Sequence, residues 1–206
     1  SNDVRRFLYF YAFFRRAAFD DGPLSLAVIL KESSDYAYSI GESLKEQVYV
    51  ALRHIAQGFL DHEPNNLQPD NDTLKTIYDN SLILLYRLLF ILYAEARELL
   101  LMGESDKYRQ SYSLAAIKQS VARNIDSGKA VLHGSPLLYK QLDFLFHGID
   151  TGEEELGIEP FNGGLFDPEE HPFLVKNAVG DYHLQVAIDK LARVNGGFVD
   201  YRDLSV

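Results

Sequence analysis

Residues 82–93 read Leu-Ile-Leu-Leu-Tyr-Arg-Leu-Leu-Phe-Ile-Leu-Tyr, and no other stretch limits the fold as strongly. An apolar run of this kind must leave water, either in a bilayer or in a protein core. A bilayer span needs about 20 consecutive apolar residues. This run is shorter, and Arg87 interrupts it. Placing that arginine at a bilayer centre costs about 2.5–3.5 kcal/mol even on insertion scales. The run is therefore expected to form the middle of a core helix, roughly residues 73–102, covered on most sides by other elements, with no membrane partner. Burying each large apolar side chain along it contributes about 1.5–3 kcal/mol.

Helical periodicity continues on both sides. Phe7, Tyr11, Phe14 and Ala18 repeat at helical spacing and predict a helix over 4–19, closed by Gly22-Pro23. A second helix is expected over 24–38. Ser39-Ile40-Gly41-Glu42 resembles a new start, so a third is expected over 42–60, with Leu44, Val48, Leu52, Ile55 and Phe59 on one stripe. Two prolines and no apolar period make 61–72 a linker loop, with Asp72 or Thr73 capping the next helix. Further helices are expected over 112–127, ended by Ser127-Gly128, and 136–148, started by Ser135-Pro136. Residues 150–182 read as loops, followed by a short helix over 183–194 that Asn195-Gly196-Gly197 breaks. The fold class is thus all-α, an irregular helical bundle with a loop-rich C-terminal third. Its segments are an N-terminal helical part (1–60), the loop 61–72, a central bundle (73–149) and the loop-rich end (150–206).

Charge and cysteine usage limit the chemistry. The 206 residues carry a net charge of −10 and no cysteine. Disulfides, thiolate metal sites and a cysteine nucleophile are excluded, and a cytoplasmic setting is expected. The charge is uneven. Residues 1–19 sum to +3 through Arg5, Arg6, Arg15 and Arg16, whereas 150–206 sum to −8. Any contact with nucleic-acid phosphates is expected at those four arginines, although ion pairs suit the same guanidinium forks.

Catalytic signatures are missing. No two glycines are separated by one residue, so the usual Gly-x-Gly nucleotide turn is absent. No two prolines adjoin, which excludes the Asn/Asp-Pro-Pro-Tyr/Phe motif that holds a flipped adenine. No lysine follows an acid at the Asp/Glu-x-Lys spacing of metal-dependent nucleases. The Glu153-Glu154-Glu155 run is expected to be a solvated face, and Glu169, Glu170, His171 and His183 lack a metal-ligand spacing. No catalytic, cofactor-binding or metal residue is assigned.

Two motifs remain. The first is Pro160-Phe161-Asn162-Gly163-Gly164-Leu165-Phe166-Asp167, continued by His171-Pro172-Phe173-Leu174. The second is the terminal Val199-Asp200-Tyr201-Arg202-Asp203-Leu204-Ser205-Val206. Gly163-Gly164 permits a turn closed to other residues, and its apolar flanks suit an Ω-like loop packed on the bundle. Together with Leu44–Tyr49, Leu85–Arg97 and Tyr112-Ser113-Leu114, these motifs resemble the helical region preceding the methyltransferase core of type IIG-like restriction–modification enzymes, which are adenine-specific DNA methyltransferases of bacteria.

The resemblance implies a fragment of a longer chain, flanked by a nuclease-like and a methyltransferase domain. Double-stranded DNA, S-adenosylmethionine and Mg²⁺ would belong to that parent and not to this segment. On that reading the segment is a non-catalytic connector, with Phe161, Asn162, Gly163, Gly164, Phe166, His171, Tyr201, Arg202 and Asp203 docking the catalytic domain. The alternative is an autonomous protein–protein interaction module.

Overall fold

The computed structural model describes residues 11, 25–100, 106–131, 133–161 and 163–202. Among them are six α-helices: α1 (Leu26–Asp61), α2 (Asn71–Ala96), α3 (Leu114–Asp126), α4 (Leu137–Thr151), α5 (Pro172–Lys176) and α6 (Asp181–Ala192). A two-stranded hairpin, β1 (Arg193–Val194) and β2 (Gly197–Phe198), is the only sheet among these residues. The all-α expectation holds. The helix expected over 4–19 falls, apart from Tyr11, outside the described residues.

The chain divides into two compact units, Ser1–Ser43 and Leu44–Val206, and the boundary lies inside α1. In the first unit, Ser25 Oγ accepts the backbone N–H of Val28 at 3.3 Å, closing the first turn of α1.

The core is built around α2. Leu84, Leu85, Leu88, Ile91 and Leu92 are buried. Ala51, Ile55 and Phe59 of α1 are buried in the same unit, with Leu114, Ile117 and Val121 of α3. Leu142, Leu145, Phe146 and Ile149 of α4 and Leu184, Ile188 and Leu191 of α6 complete it. α2 is long and apolar enough to cross a membrane, but half of its most apolar window is buried inside the protein, as in a core helix. The arginine that breaks the run is itself buried there.

Several boundaries differ from expectation, each for a physical reason. The helices expected over 24–38 and 42–60 are one continuous helix. A cap-like Ser39 and Gly41 do not stop a helix when both flanks continue it, since an interior glycine costs only about 1 kcal/mol. α2 is capped by Asp70, not Asp72 or Thr73: Asp70 Oδ1 accepts Thr73 N–H at 2.9 Å and Oδ2 accepts the Thr73 hydroxyl. It ends at Ala96 rather than 102, because Glu98 enters the left-handed region at φ 57°. The loop 61–72 is fastened to the fold. Asn65 Nδ2 donates to Phe59 O and Ala178 O, both at 2.8 Å, while its Oδ1 accepts Ala178 N–H.

The start of α4 is the clearest departure. Ser135-Pro136 marks the place, but Pro136 makes no capping bond. The Ser135 hydroxyl accepts Leu137 N–H at 3.4 Å, and a second cap arrives from α6. Asp181 Oδ1 accepts Leu138 N–H at 2.8 Å, and its Oδ2 accepts the Ser135 hydroxyl at 2.6 Å. α3 is capped locally by Ser113 and, from α2, by Glu95.

The last helix ends at Ala192, before the expected 194, because Arg193 is already extended, and Asn195-Gly196 closes a hairpin instead. Arg193 pairs with Phe198 and Val194 with Gly197. Both turn residues have positive φ, 52° and 80°, as an Asn-Gly type I′ turn requires.

Candidate interdomain docking site

The glycine-turn motif is seated on the outer half of α2. It leaves α4 with Phe161 N–H donating to Ile149 O at 2.7 Å. Phe161 packs against Phe90 with ring centroids 4.6 Å apart and planes tilted by 49°, and remains half exposed. Phe166 is buried and meets Phe90 at 5.5 Å and Phe146 at 5.8 Å. Gly164 has φ +68°, a conformation that L side chains adopt at a cost of about 1–2 kcal/mol. At Gly163 an added Cβ would lie 2.9 Å from the Phe161 ring, so the second glycine serves close approach. His171 Nε2 donates to Gly164 O at 3.1 Å, and Asp167 Oδ1 accepts Glu169 N–H at 2.7 Å. Asn162 lies outside the described residues.

Arg87 holds the turn from beneath. Its Nε donates to Leu165 O at 2.7 Å. Its guanidinium carbon sits 5.1 Å from the Phe146 ring centroid and 5.6 Å from that of Phe166. The Nη2 atom is buried without a hydrogen-bond partner. Burial lowers the proton affinity of the guanidinium. Cation–π attraction, worth about 2 kcal/mol in a desolvated setting, offsets part of that cost.

The tail motif packs against α6 and the C-terminal end of α2. Tyr201 is buried and its hydroxyl donates to Leu191 O at 2.8 Å. Burial pushes its ionisation above the ordinary tyrosine range. Arg97, one residue past α2, lies over the Tyr93 ring at 4.9 Å and donates through Nη2 to Arg202 O at 3.1 Å. The Arg202 side chain grips Asp200, whose carboxyl is held at about 2 by those hydrogen bonds. A cleft of about 380 Å³ opens here between Leu92, Glu95 and Ala96 on one side and Phe198–Arg202 on the other, with Ala115 and Lys118. Burial lowers the Lys118 pKa, opposed by Glu95 and Asp200. Asp203 lies outside the described residues.

The motifs are thus two separate patches, the turn on α2 and the tail at the end of α2 and on α6. Arg87 lies within α2, and Arg97 is the residue that follows its last turn. Each captures one backbone carbonyl of its motif. Sequence reading treated Arg87 only as an interruption of an apolar run. The useful signal was available: a buried arginine requires acceptors, and a glycine turn has free carbonyls. Arg5, Arg6, Arg15 and Arg16 lie outside the described residues.

Glu154 and Glu155 are exposed as expected, with Glu155 reaching Lys107 at 3.3 Å, whereas Glu153 is half-buried and its carboxylate accepts Glu155 N–H at 3.3 Å. Among the described residues no group of three or more His, Cys, Asp or Glu is placed to hold a metal ion. No protein-family model, curated protein or solved structure matches the chain.

Proposed function

We propose that this chain is a non-catalytic helical connector of a DNA adenine methyltransferase or restriction–modification enzyme. It holds catalytic and DNA-recognition domains in register on the duplex, in the cytoplasm. The observation that carries this reading is that Arg87 of α2 and Arg97, the residue just past its end, each donate to a backbone carbonyl of one motif. A turn held by α2 and a tail held by the end of α2 and by Leu191 of α6 share one packed core, as a connector between domains requires. Their exposed parts, Phe161, Glu169, Glu170 and Arg202, combine an aromatic anchor with charge. Such a surface suits a protein partner better than phosphates. S-adenosylmethionine, Mg²⁺ and DNA remain with the parent's other domains. Arg5, Arg6, Arg15 and Arg16 are the residues proposed for any phosphate contact.

The test is made in the full-length enzyme, with methylation and thermal stability measured for Gly164→Val, Phe161→Ala and Arg202→Ala. Methylation should fall in Phe161→Ala and Arg202→Ala while the melting temperature stays near wild type. Unchanged methylation in all three variants would remove the docking role.

A second reading, an autonomous protein–protein interaction module, draws on a different surface. Leu74, Tyr78 and Tyr86 are exposed on α2 at spacings of four and eight. Loss of a partner's binding on Tyr78→Ser and Tyr86→Ser, with methylation intact, would favour it.

A further inference from the structure

On the side of the second unit formed by α1 and α6, basic groups collect that the docking patches do not use. An open cleft of about 200 Å³ is lined by Val50, Arg53, His54, Gln57 and His183. Arg53 and Lys190 both act electrostatically on His54. Among the described residues neither of the two makes a hydrogen bond or ion pair. The neighbouring carboxylate, Asp61, is already engaged. Its Oδ2 lies 3.0 Å from His183 Nε2, and its Oδ1 accepts Gln57 Nε2 at 2.7 Å. The whole chain carries a net charge of −10, so cations left without acids around one cleft are a local excess.

The carboxylate assigns the tautomers. An ionised carboxylate accepts only, so His183 donates to Asp61 from Nε2 and keeps a lone pair on Nδ1. His54 Nδ1, 3.1 Å away, must then be the donor to it. That leaves Nε2 as the uncommitted nitrogen of His54, a lone pair in the neutral ring. A proton taken up at Nε2 preserves the run of hydrogen bonds from Asp61 through His183 to His54 and adds one N–H donor. Burial, then His183, Arg53 and Lys190, hold the proton affinity of His54 below the usual histidine value. An anion in the cleft would offset the repulsion from these cations and favour the protonated ring.

We infer that Arg53, His54 and Lys190 form a binding site for a tetrahedral oxyanion of the phosphate class, with Asp61 and His183 as positioning residues. The guanidinium fork matches two oxygens of such an ion, and the lysine adds a point charge. With His54 protonated the site holds three positive charges, which suit a dianion better than a single carboxylate. The cleft takes a group and not a whole cofactor, since pockets for drug-sized ligands run to about 300–1,000 Å³. None of these residues is assigned to docking, so the site stands or falls apart from the connector role.

The experiment titrates the chain with sulfate and then inorganic phosphate at constant ionic strength, followed by ¹H–¹⁵N spectra of the imidazole and guanidinium groups. Sulfate keeps its charge between pH 6.5 and 7.5, so its pH dependence belongs to the protein. The expected result is one ion per chain, with signals of His54, His183 and Arg53 moving together. Affinity for sulfate should rise about three- to tenfold from pH 7.5 to 6.5, since uptake of one proton allows about tenfold per pH unit at most. Arg53→Gln should weaken binding about tenfold or more, as loss of a charged hydrogen bond does. His54→Gln should remove the pH dependence. Lys75→Gln, at an exposed lysine of α2, should change neither. A short DNA duplex added to the sulfate-bound chain separates the sources: displacement of sulfate assigns a backbone phosphate, and retention assigns a free phosphate or a small ester. No saturable binding at millimolar sulfate or phosphate overturns the inference. Equal losses in Arg53→Gln and Lys75→Gln, or an unchanged pH dependence in His54→Gln, do so too.

Discussion

Arg87 Nε donates to the carbonyl oxygen of Leu165 across 78 positions of sequence, at 2.7 Å. This bond joins the central core helix to the glycine turn. Its consequence is that the motif's shape depends on a core side chain and not on the motif alone.

Replacing Arg87 should therefore separate charge from shape. Arg87→Ala loses a charged hydrogen bond worth about 1.5–3 kcal/mol and leaves a cavity between Phe146 and Phe166. Arg87→Met loses the bond but refills much of the space and removes a buried charge, so it should cost less. Urea unfolding measures both. A methionine variant as unstable as the alanine variant would show that the charge, not the volume, supports the turn.

Glu95 is a half-buried carboxylate that accepts the Tyr108 hydroxyl at 2.6 Å and the N–H groups of Leu114 and Ala115, both at 2.7 Å. It satisfies the start of α3 and meets the positive end of that helix. Burial still outweighs these donors and raises its pKa. Glu95→Gln must turn an amide N–H₂ toward donors, so a loss of about 1–3 kcal/mol is expected. Tyr108→Phe should cost about 1.5–3 kcal/mol through the same carboxylate. Chemical denaturation and amide exchange at Leu114 and Ala115 check both.

Two glycines of α1 should respond with opposite signs. At Gly41 an added Cβ meets nothing within 4 Å, so Gly41→Ala should stabilise by about 0.5–1 kcal/mol. At Gly58 it would fall 2.5 Å from Val179 Cγ1 and 2.7 Å from His183 Cβ. Gly58→Ala should destabilise by about 1–3 kcal/mol by overpacking. Thermal unfolding of the two variants is a direct comparison.

Acidification should weaken the fold through His54. Its folded pKa is lowered from 6.5, first by burial and then by His183, Arg53 and Lys190. Between the folded and unfolded values the unfolded chain binds more protons, so stability rises with pH there. The contribution is complete above about 6.5 and is lost as pH falls through the folded value. Stability measured from pH 7.5 to 5 should decline, and His54→Gln should flatten that decline. An identical slope in the variant would assign it to other groups.

Much of this protein was determined by sequence alone. The apolar run over 82–93, too short and too interrupted by Arg87 for a bilayer, predicted a buried core helix, because the cost of exposing such a run is a local property. Ser127-Gly128 announced a helix end for the same reason: the cost of positive φ is intrinsic to each residue. The placement of Phe161, Gly163, Gly164, Phe166 and His171 in a packed loop was also legible, since four apolar or glycine neighbours cannot all be solvated favourably. Tertiary structure decided the partners. Asp181 caps a helix 43 residues before it, Glu95 caps one 19 residues after it, and Arg87 finds a carbonyl 78 residues away. His54 finds His183 across 129 positions. Each of these groups had to bury a polar atom, and sequence showed that a partner was owed. Which partner it would be depended on how the helices pack, and no local pattern records that.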